Sequence, residues 1–315
     1  MDMAAKASPF ALAGAATLDP AKFADPVLTA NGERRATVGL DRLETLWINT
    51  GTLCNLACRS CYIESSPTND ALVYLTLAEA ELYFEEAKAL GVRVIGFTGG
   101  EPFMNPEIVG MMRSALDRGF DLLILTNAMR PMRRFEKALA AIGSERGGRI
   151  VMRVSLDHHD GALHEAERGE GSWAKALDGL KWLANAGFRV AVAGRRLQGE
   201  EEAEQGYRRL LDALKVPADH LVLFPTMDSS ADVPEISEGC WDLLHVSPSA
   251  MMCATSRMVV KAKGAARPHV VACTLLPHDP RFAMGETLLE ASRPIALNHP
   301  HCARFCVLGG ASCSG

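Results

Sequence analysis

Three cysteines, Cys54, Cys58 and Cys61, fall within eight consecutive positions, and an aromatic residue, Tyr62, follows directly. Three thiolates are one too few for a closed structural zinc site, and an odd number does not suit disulfides. They do suit a 4Fe–4S cluster in which one iron has no protein ligand and is open to a substrate or cofactor. The alternatives are a zinc site that borrows a histidine and plain buried thiols. Because no histidine lies nearby in the sequence, the spacing favours the cluster.

The other six cysteines all follow residue 239, and none lies between residues 61 and 240. The sequence has no convincing secretion signal, so clustered cysteines indicate metal or redox chemistry more than disulfides. Cys253 and Cys273 flank a hairpin that we predict around Gly264. Three more crowd the last fourteen residues: Cys302, Cys306 and Cys313. We expect this small region to need a metal or a cross-link in order to fold.

Between residues 45 and 226, short apolar runs alternate with helical patterns, as in a parallel sheet whose strands are joined by helices. The runs are apolar on both faces, which is typical of buried parallel strands. The six predicted strands are TLWINT, VRVIGFTG, FDLLILTN, RIVMRVSLD, FRVAVAG and HLVLFPT. Thr76 and Glu79 form a capping-box pair at the first of five predicted helices, and Gly143 should close the third. These helices are TLAEAELYFEEAKALG, NPEIVGMMRSALDRG, RPMRRFEKALAAIG, SWAKALDGLKWLANAG and EEEAEQGYRRLLDALK.

We therefore predict an α/β fold, a partial (β/α)6 TIM-like barrel with a small cysteine-rich C-terminal domain. The expected division is a poorly structured N-terminal arm over residues 1–44, the barrel over 45–235 and the cysteine-rich domain over 236–315. In parallel α/β sheets the chemistry lies at the carboxyl ends of the strands. Seven polar residues follow the predicted strands and should converge there: Thr98, Thr126, Asn127, Ser155, Asp157, Arg195 and Thr226.

Three motifs occur in order on these elements. They are C-x3-C-x2-C followed by an aromatic residue, FTGGEP over residues 97–102, and VSLDHHDGALHEAERGEGSWAKALDGL from Val154. Together they resemble the radical S-adenosylmethionine (radical SAM) enzymes over residues 45–226. The resemblance implies that the three cysteines bind three irons of a 4Fe–4S cluster while the amino and carboxylate groups of SAM chelate the fourth. It also implies that SAM is cleaved to methionine and a 5′-deoxyadenosyl radical, which abstracts hydrogen from a substrate.

The same resemblance implies a set of SAM-binding residues on the loops after the strands. Gly99 and Gly100 would let the backbone approach the methionyl group, and Glu101 would accept from the SAM ammonium. Arg195 would pair with the SAM carboxylate, and Tyr62 would lie along the adenine edge. The full set of expected residues is Tyr62, Gly99, Gly100, Glu101, Pro102, Thr126, Asn127, Ser155, Asp157 and Arg195.

The loop after the fourth predicted strand carries the candidates for catalysis. Asp157, His158 and His159 lie in succession there, and imidazole is the side chain whose ordinary pKa suits proton transfer near neutral pH. The resemblance also implies that Ser155 and Asp157 meet the ribose hydroxyls or the methionyl end of SAM. A solvated loop without a catalytic role is the alternative for the two histidines.

The second cysteine group resembles the SPASM and Twitch extensions of radical SAM enzymes, in which such cysteines bind an auxiliary Fe–S cluster. With five or six cysteines rather than about seven, the resemblance implies a single Twitch-like cluster. Cys253 and Cys273 are the firmer ligands, with two more from Cys302, Cys306 and Cys313. A structural zinc in the same region is the alternative.

Two enzymatic hypotheses and one non-enzymatic hypothesis remain open for the function. The first is oxidation, epimerisation or rearrangement of a small molecule, as in Twitch-bearing relatives such as an aminocyclitol dehydrogenase. The second is peptide maturation, typical of SPASM relatives. The stretch of about 45 residues before the first strand is short for a leader-peptide-binding domain, which favours the small molecule. The third is a cluster-binding scaffold that does not cleave SAM.

Composition limits the partners of the chain. Of its 315 residues, 48% are hydrophobic and 23% charged, as in ordinary globular proteins, and the net charge is −5. No basic run marks a duplex nucleic-acid surface, and no apolar run reaches the roughly 20 residues of a membrane span. We therefore expect a cytoplasmic protein that takes electrons from a donor such as flavodoxin or ferredoxin.

Overall fold

The computed structural model describes residues 8–12, 14–224, 228 and 230–310. Thr226 and Cys313, which were singled out from the sequence, lie outside these described residues. The strands are β1 (Thr37–Val38), β2 (Thr45–Asn49), β3 (Val94–Thr98), β4 (Asp121–Thr126), β5 (Ile150–Ser155), β6 (Arg189–Arg195), β7 (His220–Phe224), β8 (Ser256–Val260), β9 (His269–Val271), β10 (Ala283–Gly285) and β11 (Ile295–Ala296). Nine of them form one sheet in the order β10-β9-β8-β2-β3-β4-β5-β6-β7, and β1 pairs with β11.

The six strands β2 to β7 are neighbours in sequence order, and every pairing among them is parallel. All five residues of β2 are buried, and the neighbouring strands are largely buried as well, because helices cover the outer face of the sheet. The prediction of an α/β fold built on a partial parallel barrel is thereby confirmed. Since the strands run in one direction, the loops that follow them emerge at one end of the sheet.

The described helices are α1 (Leu77–Ala89), α2 (Ile108–Asp117), α3 (Arg130–Arg133), α4 (Glu136–Arg146), α5 (Gly161–Arg168), α6 (Ser172–Asn185), α7 (Ala203–Leu214) and α8 (Cys240–Leu244). The predicted capping box at α1 is confirmed, since Thr76 accepts from the Glu79 amide and Glu79 accepts from the Thr76 amide. Within the part of the chain that the structure describes, no helix has the length and apolar character that crossing a bilayer requires.

The third predicted helix differs from the structure in two ways. It is divided into α3 and α4 around Arg134 and Phe135, and α4 runs past Gly143 to Arg146, so the predicted end at Gly143 is wrong. A Cβ at Gly143 would collide with the backbone carbonyl of Ala186. Gly143 therefore allows α4 to pack closely against the end of α6. From the local sequence alone, a glycine at this position indicates the end of a helix.

The cysteine-rich region is joined directly to the main sheet. β8 pairs in parallel with β2, with Ser256 opposite Thr45 and Val259 opposite Ile48. β9 returns antiparallel beside β8, so the hairpin predicted around Gly264 is confirmed, with that glycine at φ +83°. Strands from both sides of residue 236 belong to one nine-stranded sheet. The sheet does not mark a boundary at residue 236, so that boundary stays a prediction.

The described part of the N-terminal arm packs onto the barrel. Phe10 and Phe23 are each only 2% exposed, and the buried Arg35 forms an ion pair of 2.5 Å with Glu235. The expectation of a poorly structured arm is wrong for these residues. Two aromatic side chains, spaced too widely to show a periodic pattern, anchor the arm by burial, and burial of such rings contributes about 1.5–3 kcal/mol each.

Candidate active site

The three cysteines of the C-x3-C-x2-C motif lie on the loop that follows β2, which we call the cysteine loop (residues 50–66). Cys54 is buried, and Cys58 and Cys61 are half-buried. All three face a cavity with about 670 Å³ of atom-free space, which we call the cysteine cavity. Its other walls include ten residues that the sequence places on the carboxyl ends of strands or beside the cysteines: Tyr62, Ser65, Thr98, Gly99, Gly100, Leu125, Thr126, Asn127, Ser155 and Arg195.

Backbone amides of the cysteine loop point at two of the sulfur atoms. The Leu56 amide donates to Cys54 Sγ at 3.4 Å, and the Ser65 amide donates to Cys61 Sγ at 3.3 Å. Such N–H donors stabilise thiolates that bind metal and tune the reduction potential of an Fe–S cluster. In the absence of a cation, burial raises the pKa of Cys54 to about 12 and that of Cys58 to about 11. The thiolate forms of these buried sulfurs therefore depend on a bound positive charge.

The Gly99–Gly100 pair after β3 holds the cysteine loop by its backbone. The Gly100 amide donates to Gly51 O at 2.8 Å, and the Glu101 amide donates to Leu53 O at 3.2 Å. Gly99 has φ +138°, and a Cβ there would lie 2.6 Å from Gly51 O. A Cβ at Gly100 would collide with the Leu53 carbonyl. The two glycines are thus required by the close approach of two backbones, whatever further approach SAM makes.

Glu101 is 2% exposed and binds the loop after β4. Its carboxylate accepts from Thr126 Oγ1 and from the Asn127 amide, both at 2.8 Å, and from the Phe103 amide at 3.2 Å. Burial nonetheless raises the pKa of this carboxyl to about 7. The side chain therefore organises the cavity wall, and its expected contact with the SAM ammonium stays a prediction. Pro102 follows at the start of a single 3₁₀ turn, Pro102–Met104.

Asp157, which follows β5, lies between two arginines. Its carboxylate is 2.6 Å from Arg168 Nε and 3.3 Å from Arg195 Nε, and all three side chains are nearly buried. Burial acts to raise the pKa of Asp157, but the charges of Arg168 and Arg195 outweigh it and hold this pKa at about 2. Asp157 is thus a permanent carboxylate that fixes both guanidiniums. Arg168 was not foreseen from the sequence, although it lines the cysteine cavity beside Arg195.

Glu167 is a second residue that sequence reasoning missed. It is 1% exposed and lies on α5, which was also not predicted. One carboxylate oxygen accepts from the Ser60 amide at 2.7 Å and from Ser60 Oγ at 2.6 Å, and the other accepts from Ser8 Oγ at 2.6 Å. Arg195 also donates to Ser60 Oγ. Glu167 thereby ties the N-terminal arm to the cysteine loop between Cys58 and Cys61.

The two candidate histidines lie away from the described walls of the cysteine cavity. His158 is 2% exposed and stacks on His159 with ring centroids 4.2 Å apart. His158 Nδ1 accepts from the Asp160 amide at 2.9 Å, so the neutral ring carries its proton on Nε2, which faces Glu200 at 3.1 Å. This arrangement favours a hydrogen-bonded pair over a metal site formed by His158, His159 and Glu200. A catalytic role for either histidine stays a prediction.

A further space, the inner cavity, adjoins the cysteine cavity inside the barrel. It has about 630 Å³ of atom-free space. Three residues line both cavities: Tyr62, Ser155 and Arg195. Other residues line the inner cavity and not the cysteine cavity, among them Arg153, Asp157, Phe224, Leu275 and Phe305. Leu275 and Phe305 come from the cysteine-rich region, so that region closes one side of the barrel interior.

A family model described as "Radical SAM superfamily" matches residues 48–214, which is more than half of the chain and includes the cysteine loop and the strands β3 to β6. The chain belongs to the radical SAM superfamily. An AdoMet-dependent heme synthase of Nitratidesulfovibrio vulgaris is 27% identical over 172 residues, 52% of this chain and 43% of that protein. The Bacillus subtilis protein AlbA, named for subtilosin biosynthesis, is 30% identical over 145 residues, 44% of this chain and 30% of that protein. This radical SAM chain therefore spans less than half the length of these curated relatives.

Solved structures share the fold of this radical SAM protein. Streptococcus suis SuiB bound to S-adenosylmethionine superposes with a TM-score of 0.59 at 14% identity, covering 78% of this chain and 63% of that one. The anSMEcpe structure with bound AdoMet gives a TM-score of 0.58 at 14% identity, covering 79% and 80%. At this level of identity the likeness concerns the fold alone.

The cofactors of the superfamily are a 4Fe–4S cluster and SAM, and the residues of the cysteine cavity fit them. Three thiols open onto one space, amides donate to two of the sulfurs, and the backbone of Gly99 and Gly100 lines the same space without side chains. The thiols would hold the cluster and leave one iron for SAM. The contacts of individual residues with SAM remain predictions.

Four cysteines of the C-terminal group line a third, mostly apolar space, the auxiliary cavity, with about 420 Å³ of atom-free volume. They are Cys253, Cys273, Cys302 and Cys306. Burial raises the pKa of Cys253 to about 11 and that of Cys302 to about 12, as at the first site. The buried Arg257 donates to the Cys253 carbonyl at 2.5 Å, and its Nη2 has no partner among the described residues. A cation placed this way fits an anionic metal–thiolate group.

Proposed function

We propose that this protein is a radical SAM enzyme that reductively cleaves SAM and removes a hydrogen atom from a small-molecule substrate. The observation that carries the proposal is the cysteine cavity, where three cysteines and the Gly99–Gly100 pair face one space beside the inner cavity. Cys54, Cys58 and Cys61 would hold the cluster, which would supply the electron for reductive cleavage of SAM and so the radical chemistry that removes hydrogen from the substrate.

The chain's own residues prepare this chemistry by position and charge. Asp157 forms ion pairs with both Arg168 and Arg195, and these pairs fix the orientation of the two guanidiniums that face the cavities. They supply the positive charge that a carboxylate of SAM requires. The inner cavity adjoins them through Arg195 and Ser155, so a substrate bound there would lie next to both guanidiniums.

The size of the inner cavity and its walls on two sides support a small molecule over a polymer as substrate. Its walls come from the barrel strands on one side and from Leu275 and Phe305 on the other. Leu275 also lines the auxiliary cavity, so the three cavities follow one another, with the inner cavity in the middle. We infer that Cys253, Cys273, Cys302 and Cys306 would hold an auxiliary Fe–S cluster, which would supply an electron acceptor near the inner cavity. A two-electron oxidation would use such an arrangement.

The partners and the compartment follow from this proposal. The first cluster needs an external one-electron donor, for which a flavodoxin or a ferredoxin is suited. Cysteines that must stay reduced and bind iron are typical of a reducing compartment, so we infer a cytoplasmic location.

The test is anaerobic incubation of the reconstituted protein with SAM and dithionite, followed by measurement of 5′-deoxyadenosine. Cys54→Ala, Cys58→Ala and Cys61→Ala should each abolish its formation. Cys240→Ala is the matched control, since Cys240 lines neither cysteine-rich cavity in the described chain, and it should keep wild-type activity. Undiminished 5′-deoxyadenosine from the Cys54→Ala protein would overturn the proposal.

The auxiliary site has its own readout. A protein carrying Cys54→Ala, Cys58→Ala and Cys61→Ala together should retain about four iron atoms per chain, as expected for one remaining 4Fe–4S cluster. Zinc in place of iron would identify a structural metal site. A protein without any bound metal would exclude both.

A further inference from the structure

A groove on the outer surface, which we call the basic groove, lies directly beside the cysteine loop. It has about 1100 Å³ of atom-free space. Asn55 and Leu56, two residues of the cysteine loop, line it together with Arg168. Leu56 and Arg168 also line the cysteine cavity, so a single layer of side chains separates that cavity from the groove. The groove is therefore a surface from which a bound partner would lie close to the three cysteines of the cysteine loop.

The charges of the groove are opposite to those of the whole chain. Arg130, Arg134 and Lys175 line it and are exposed, and Glu170 is the one acidic lining residue among the described ones. The chain as a whole has a net charge of −5. Such a local reversal of sign attracts an acidic partner and orients it during approach.

These cations are not used in the fold. Within the described residues, Arg130, Arg134 and Lys175 form no ion pair with a carboxylate. Arg134 Nη2 donates a long hydrogen bond of 3.4 Å to the Phe103 carbonyl. The neighbouring Arg133, in contrast, is paired with Glu136 and Asp178. Three unpaired cations around one groove are therefore available to a partner.

We propose that the basic groove is the docking surface for an acidic one-electron carrier protein of the flavodoxin or ferredoxin type. The inference rests on the proposed function, since it supplies the electron which that function requires. In the docked complex the carrier is oxidised by one electron and the cluster held by Cys54, Cys58 and Cys61 is reduced by one. No bond is formed or broken, and no proton is transferred.

The experiment compares two reductants on one variant. In the triple variant Arg130→Glu, Arg134→Glu and Lys175→Glu, the flavodoxin concentration that gives half-maximal 5′-deoxyadenosine formation should rise about tenfold or more. With dithionite, which needs no docking, the same variant should retain its rate within about twofold. Flavodoxin-driven activity of the wild type should fall between about 50 and about 300 mM NaCl, because salt screens the attraction, and the variant should lose this dependence.

The control variant changes the net charge equally but away from the groove. Lys88→Glu, Arg113→Glu and Lys215→Glu alter exposed cations on other parts of the surface, and this protein should behave as wild type with both reductants. An equal effect of the two triple variants would overturn the proposal, because net charge would then explain the result. Unchanged flavodoxin dependence in the groove variant would overturn it as well.

Two further measurements keep the outcome decisive. If the charge reversals impair folding, the milder triple variant Arg130→Gln, Arg134→Gln and Lys175→Gln should still weaken flavodoxin binding by calorimetry. Wild-type binding by that variant would refute the surface. If the wild-type protein cleaves no SAM even with dithionite, the proposed function fails, whereas calorimetric binding of flavodoxin still decides on the groove.

Discussion

At the scale of single residues, Glu167 shows how one buried carboxylate positions the cysteine loop. It accepts three hydrogen bonds from Ser60 and Ser8, and Arg195 lies 3.9 Å away. Hydrogen bonds to a charged group contribute about 1.5–3 kcal/mol each, and a buried carboxylate without its partners is costly. The segment between Cys58 and Cys61 is therefore held in place by a residue of α5, 107 positions away from Ser60 in the sequence.

Glu167→Gln should loosen this segment without changing its shape, because the new amide group cannot accept hydrogen bonds at one of the two oxygen positions. We expect iron to leave the first cluster about tenfold faster in the presence of a chelator, which corresponds to a loss of about 1.4 kcal/mol. The measurement is the decay of cluster absorbance under anaerobic conditions. Glu145→Gln on the exposed face of α4 is the control. Equal decay rates in all three proteins would show that Glu167 does not hold the loop.

His164 carries a second prediction at this scale, concerning pH. It is fully buried against Trp173, and neither ring nitrogen has a partner among the described residues. Burial lowers its pKa from 6.5 to about 4. The folded protein therefore resists protonation that the unfolded chain accepts, so this histidine contributes stability above pH 6.5 that is lost as the pH falls towards 4.

From these two pKa values, the free energy of unfolding should decrease by about 2 kcal/mol between pH 7 and pH 5 on account of His164. His164→Phe keeps the ring and removes the titration, so its stability should depend less on pH by that amount. Urea unfolding at the two pH values measures the difference. Parallel pH dependence in the variant and the wild type would contradict the assignment.

At the scale of elements, the loop after β3 and the cysteine loop form one unit. The Gly99–Gly100 pair lets their backbones approach, and the amides of Gly100 and Glu101 complete the contact. Neither loop is a regular element, so each depends on the other for its conformation.

Gly100→Ala should separate the two loops, because the added methyl group meets the Leu53 carbonyl. We expect a loss of about 1–3 kcal/mol in stability and a reduced iron content at the first site. Gly148→Ala is the matched control, since a Cβ there has nothing within 4 Å. Iron analysis and thermal unfolding of both variants give the result. Full iron content in Gly100→Ala would refute the role given to this glycine.

Apolar runs and helical periodicity are local patterns, so the sequence predicted β2 to β7 and most of the helices between them. The spacing of Cys54, Cys58 and Cys61 predicted a shared site, and the three thiols do line one cavity, while iron binding there stays a prediction. Glu167 and Arg168 were missed because their roles arise from partners far away in sequence, such as Ser8, 159 residues from Glu167. The end of α4 was misjudged for the same reason, since Gly143 is explained by a neighbour in space.

At the scale of the whole molecule, the parallel pairing of β8 with β2 joins the cysteine-rich region to the barrel. The strand that leads into the first cysteine site is therefore hydrogen-bonded to the strand that follows Cys253. If the auxiliary cavity binds metal as proposed, removing that metal should weaken both strands, because strands of one sheet gain their protection together.

The variant carrying Cys253→Ala and Cys273→Ala should accordingly lose hydrogen-exchange protection in β2 as well as in β8, while the distant strand β7 changes less. Hydrogen-exchange mass spectrometry of the anaerobic protein is the measurement, and Cys240→Ala is the control. Normal protection of β2 in the double variant would indicate that the auxiliary region is stabilised independently of the barrel.

The position of β2 in the middle of the sheet also affects how the chain is made. Ser256, where β8 begins, emerges from the ribosome 207 residues after Asn49, the end of β2. At the usual rate of synthesis of about 5–20 residues per second, β2 waits on the order of 10 to 40 seconds for this partner. During that time the strand leading to Cys54 is an open edge of the growing sheet. Slower translation would therefore lengthen the time for which this edge can pair with other chains and aggregate.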